Sequence, residues 1–96
     1  MQEQKQIKIR ARNEDLKGVY SNLMQIIHNK EEFILDFFLN APPGGMLVSR
    51  VIMNPGHLKR MNRTLQENME KYEEKFGKIK EGQAPKEKIG FNVGKD

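Results

Sequence analysis

Cysteine is absent from the chain, so neither a disulfide framework nor a thiolate metal site can stabilise it, which fits a reducing compartment. Histidine is scarce. With only His28 and His57 present, a metal site would need carboxylates whose convergence no spacing indicates. No apolar run approaches the roughly 18 residues of a membrane span. Residues 1–6 are polar and carry no hydrophobic signal segment. A soluble cytoplasmic chain with no membrane association is therefore expected. Pro42-Pro43-Gly44-Gly45 lacks the lysine and helix that follow a phosphate-cradling loop. No acid, base and nucleophile fall into a convergent pattern. An enzyme is not expected, and no catalytic, cofactor-binding or metal-ligating residue is assigned.

What is present is enough for one small domain. The 96 residues are 36% hydrophobic and have a mean hydropathy of -0.78, which puts a second core out of reach. The net charge of +4 divides evenly, +2 over residues 1–77 and +2 over residues 78–96. Neither part is basic enough to announce nucleic-acid binding by itself.

The strongest periodic signal lies at residues 54–77. Leu58, Met61, Leu65, Met69, Tyr72 and Phe76 recur at steps of three and four, which gathers them on one face of a helix. Asn54 can cap its start, Pro55 suits the first helical position, and Gly77 can end it. Upstream, Ile7, Ile9 and Ala11 alternate with Lys8, Arg10 and Arg12, predicting a half-buried strand over residues 6–12 with a cationic outer face. Residues 13–18 read as a polar turn ending in glycine. Residues 19–28 fit either a helix capped by Asn13 or a strand, with periodicity slightly favouring the helix. Their neighbours favour a strand, because Asn29-Lys30 makes a plausible tight turn and residues 32–39 place Phe33, Leu35, Phe37 and Leu39 at every second position. Residues 40–45 must form a loop. Residues 46–53 then read as a fourth strand, covered on both sides.

The expected fold is α+β, with four antiparallel strands followed by one long C-terminal helix in a single domain over residues 1–77. Residues 78–96 are too polar to bury and read as a disordered tail. The small apolar island Ile89, Phe91 and Val93 within it either docks on a partner or sheet edge or is simply tail.

Three stretches together carry a resemblance: LKGVY at 16–20, EEFILDF at 31–37, and LVSRVIM at 47–53 running on through Pro55, His57, Lys59 and Arg60 to LQEN at 65–68. In their order and spacing they resemble a small prokaryotic family known only as a domain of unknown function, over roughly residues 6–77. The resemblance implies a short protein with a strand-rich front and a helix at the back, which supports the strand at residues 19–28. It implies no activity. The topology is also similar in shape, though not in motif, to the bacterial export chaperones of the SecB type.

The strands are apolar on more than one face, with Phe33, Leu35 and Phe37 against Ile34 and Phe38, and Leu23 and Ile27 against Met24 and Ile26. One helix covers one face of a sheet. Each Phe or Ile left wet forfeits roughly 1.5–3 kcal/mol, so a few of them would consume most of a small domain's stability. A homo-oligomer, with a dimer as first choice, is the economical expectation. Its interface would draw on Leu23, Ile27, Phe33, Leu35, Phe37 and Phe38.

The helix adds a charge pattern. Lys59, Arg60 and Arg63 occupy the first half and Glu67, Glu70 and Glu74 the second, opposite to what the macrodipole favours. An antiparallel copy would set Arg60 and Arg63 against Glu67, Glu70 and Glu74. The alternative is a solvated face with Glu67 and Lys71 paired at i,i+4. Asp36, among apolar strand residues, is expected to face outward. Arg50 either pairs with Asp36 across the sheet, the preferred reading, or binds an anion.

The function expected is non-enzymatic protein binding or assembly, adaptor-like or chaperone-like. The alternative is nucleic-acid binding through Lys8, Arg10 and Arg12, with the order of elements distantly similar to proteins that place a β-ribbon in the DNA major groove. His57 and Lys59 at the helix start are further candidate anion contacts. Charged alternate positions that protect an edge strand explain the basic face equally.

Overall fold

The computed structural model describes residues 5–94. Its elements follow the chain as α1 (Asn13–Lys17), β1 (Leu23–His28), β2 (Phe33–Ala41), β3 (Gly44–Met53) and α2 (Pro55–Phe76). The three strands form one antiparallel sheet in the order β1-β2-β3. The fold class is α+β as expected, but with three strands where four were predicted. Residues 5–12 form no strand, and Ile7 is 86% exposed. Alternation decides which way side chains point; a strand also needs a neighbouring backbone to bond. No strand of the sheet pairs with this segment among the described residues.

The polar stretch that follows makes a single helical turn instead of a bare turn. Arg12 donates from Nε and Nη2 to the two carboxylate oxygens of Asp15, at 2.9 and 3.1 Å. Gly18 ends α1 with φ at +73°, a conformation that costs glycine little. Residues 19–28 resolve as irregular backbone leading into β1, so the strand reading holds over its second half.

Side chains begin the β1–β2 pairing. Asn22 uses its amide as a surrogate peptide: Oδ1 accepts from the Asn40 backbone N–H at 2.7 Å, and Nδ2 donates to the Asn40 carbonyl at 3.0 Å. Ser21 Oγ adds a hydrogen bond to the Phe38 carbonyl at 3.0 Å. At the other end, Asn29 Oδ1 accepts from the N–H groups of Glu31 and Glu32 at 2.8 and 2.9 Å. This closes the hairpin where Asn29-Lys30 predicts it, because an Asn side chain can imitate a turn's backbone.

Between β2 and β3 only Pro42 and Pro43 form the turn, joined by a cis peptide bond. The expected six-residue loop is therefore shorter, and Gly44 and Gly45 belong to β3. That strand is not covered on both sides as predicted, since Met46, Leu47, Val51 and Ile52 are exposed. Arg50 is its one charged residue.

α2 has the predicted bounds. Asn54 Oδ1 accepts the His57 backbone N–H at 2.7 Å, Pro55 occupies the first position, and Gly77 terminates the helix at φ +97° with its N–H on the Glu73 carbonyl at 2.9 Å. Its 22 residues span about 33 Å at 1.5 Å each. Residues 77–94 carry no helix or strand. The Ile79 N–H donates to Glu73 Oε2 at 2.8 Å, and Ile89 is half-buried.

Two compact units emerge, one made of residues 5–26 and 35–51, the other of residues 27–34 and 52–94. In the first, the core is Leu35 at 2% exposure and Phe38 at 6%, together with the carboxylate of Asp36. In the second, His28 stacks on Phe33 with ring centroids 5.0 Å apart.

Leu35→Ala should destabilise the first unit by about 2–5 kcal/mol, the range for a buried leucine. Asn54→Ala should cost α2 about 1 kcal/mol, and Asn54→Ser much less. Urea titration followed by far-ultraviolet circular dichroism reads both; equal effects would remove the contrast between core and cap.

Candidate partner-binding surface

Three polar side chains converge on one face of the sheet. Arg50 donates from Nε to Asp36 Oδ1 at 2.6 Å and from Nη2 to Oδ2 at 2.9 Å, and Gln25 Nε2 donates to Oδ2 at 3.3 Å. The pairing preferred for Arg50 is present. The outward orientation expected for Asp36 is not, because its side chain is 0% exposed while that of Arg50 is 44% exposed. The reason is position. β2 is the central strand, and a carboxylate there is hidden by whatever the flanking strands lay over it.

The bidentate guanidinium holds the Asp36 carboxyl below the usual carboxylate range, against the opposing effect of burial, with Gln25 assisting. Arg50 is correspondingly held more firmly protonated, chiefly through its hydrogen bond to Asp36. Such a carboxylate stays ionised with both oxygens engaged. It is ill suited to abstract a proton and well suited to fix strand register, because a slip would leave a buried charge unpaired.

The flanking strands expose apolar side chains on both faces of the sheet. Met24, Ile26 and Ile27 on β1 are exposed, as are Leu47, Val51 and Ile52 on β3. Leu35 and Phe38, expected at a partner interface, serve as the chain's own core. Leu23, Phe33 and Phe37 are half-buried, and Ile27 is exposed. The central strand's side chains are hidden first, so the free apolar surface lies on the outer strands.

In the second unit, α2 has no buried residue. Leu58 and Met61 are half-buried, whereas Leu65 at 53% and Phe76 at 65% exposure mark a stripe open to solvent, with Met69 and Tyr72 between them. The rings of Tyr72 and Phe76 lie 5.0 Å apart. A shallow groove beside the stripe is lined by His57, Arg60, Met61, Thr64, Leu65 and Asn68. Arg60, Arg63, Glu67, Glu70 and Glu74 are all exposed. At about 100° per residue they fall on the side of α2 turned away from the stripe.

The candidate anion contacts are divided between the two units. Lys8, Arg10 and Arg12 lie on irregular backbone, exposed, and Arg12 is committed to Asp15. At the start of α2, His57 Nδ1 lies 3.3 Å from Arg60 Nη2 and Lys59 is exposed. Among the described residues no group of three or more His, Cys, Asp or Glu side chains could hold a metal ion. None of their helices is long and apolar enough to cross a membrane.

Over residues 1–81 the chain matches the model of a family described as a protein of unknown function (DUF3467). No curated protein matches, and no solved structure does.

Because the folded carboxyl of Asp36 titrates below its unfolded value, its charge stabilises the fold above about pH 4 and ceases to as pH falls through the depressed value. Asp36→Asn should therefore lower the urea midpoint at pH 7, with the gap from the parent closing on acidification. A gap that stays constant from pH 7 to acid would contradict the role given to the ion pair.

Proposed function

We propose that this chain, which belongs to the DUF3467 family of proteins of unknown function, is a non-enzymatic assembly module that forms a homo-oligomer and binds protein. The observation that carries this reading is the amount of apolar side chain left uncovered, on β1, on β3 and along α2 from Leu65 to Phe76. Specific protein interfaces take roughly 800 Å² from each partner, and the exposed aliphatic and aromatic groups of these elements are the surface offered to one.

A chain without cysteine suits the prokaryotic cytoplasm in which we place it. The adaptor-like or chaperone-like character of the module would follow from client segments competing for the same apolar surface. Residues 78–94 act as a disordered tail with too few apolar side chains to fold alone.

Light scattering on the full chain should return at least twice 11.2 kDa, and the mass should fall on dilution if the association is reversible. Removing residues 78–96 should leave it unchanged. A monomer at every concentration would overturn the reading.

A further inference from the structure

We infer that α2 pairs with α2 of a second copy, antiparallel about a two-fold axis near the Gln66-Glu67 peptide; this rests on the self-assembly reading above and specifies its geometry. The apolar residues from Leu58 to Phe76 cover 18 residues of sequence in five steps, which is the 3.6-residue period of a straight helix. The stripe thus runs parallel to the helix axis, open from Leu65 to Phe76 and already half-covered by its own chain at Leu58 and Met61.

An isologous interface must be self-complementary. Turning α2 end for end about that midpoint sets Leu58 against Phe76 of the second copy, Met61 against Tyr72, and Leu65 against Met69, each to within one residue. The exposed half of one stripe then meets the half-buried half of the other. The same midpoint divides Lys59, Arg60 and Arg63 from Glu67, Glu70 and Glu74. An antiparallel pair therefore lays basic half beside acidic half and opposes the two macrodipoles, whereas a parallel pair stacks like on like. These charges sit away from the stripe and act on the second helix only at long range, so they bias the orientation weakly and most at low salt, while the apolar contacts fix the register. Asn62, Gln66 and Asn68 border the stripe, giving the pair a neutral polar rim.

The chain has no cysteine, so single cysteines report position without background. Gln66→Cys places one thiol beside its symmetry mate, and a short bismaleimide should link it into a covalent dimer. Lys59→Cys lies on the same flank two turns earlier, where the antiparallel pair holds the two thiols about 23 Å apart along the axis, so it should remain unlinked. Both residues are exposed, and neither substitution disturbs the core. Light scattering is run on the same samples. Linkage at both positions would mean parallel helices and overturn the inference. A dimeric mass with no linkage at Gln66→Cys would also overturn it, while leaving self-assembly standing. A monomeric mass would overturn both.

Discussion

A sheet has two faces and two borders, and everything about this chain follows from how few residues it has to cover them. Among the described residues two apolar side chains are buried, Leu35 and Phe38, both on the middle strand. A domain held by so small a core sits near the lower limit of self-sufficiency, because chain entropy grows with every ordered residue while burial does not keep pace. The uncovered aliphatic groups on the outer strands and on α2 are the other side of that shortage.

Within the sheet, order comes from polar groups as much as from apolar ones. Gln25, Asp36 and Arg50 take one residue from each strand and lock them together. Asn22 extends the ladder with its side chain and Asn29 folds the hairpin turn over itself. These contacts add little net free energy each. They make alternative registers expensive, which matters in strands where apolar residues on both faces would otherwise tolerate a slip.

The helix was fully legible in the sequence, since its period, its Asn54 cap and its Gly77 stop all act locally. The hairpin was legible for a similar reason: an asparagine turn and two apolar runs sit side by side. What failed was non-local. Residues 6–12 alternate as a strand does, yet whether they pair depends on a neighbour that the pattern does not specify. The burial of Asp36 was hidden for the same reason, because a carboxylate between Leu35 and Phe37 reads as outward-facing until the central position of its strand is known. Arg50 was the recoverable clue, being the one charge in an otherwise apolar strand. The angular separation of the stripe from Arg60, Arg63, Glu67, Glu70 and Glu74 could have been worked out from spacing alone.

Arg50 is the only charge on β3, and its guanidinium is already spoken for by Asp36. The outer rim of the sheet is consequently left without the lysines that usually deter stray strands, and the opposite rim on β1 is equally unguarded. Growth at such rims has no natural stopping point, so fibrous by-products are the hazard this architecture carries whenever newly made chains accumulate. A two-fold contact through the helices, which closes on itself, would steer the population away from that fate.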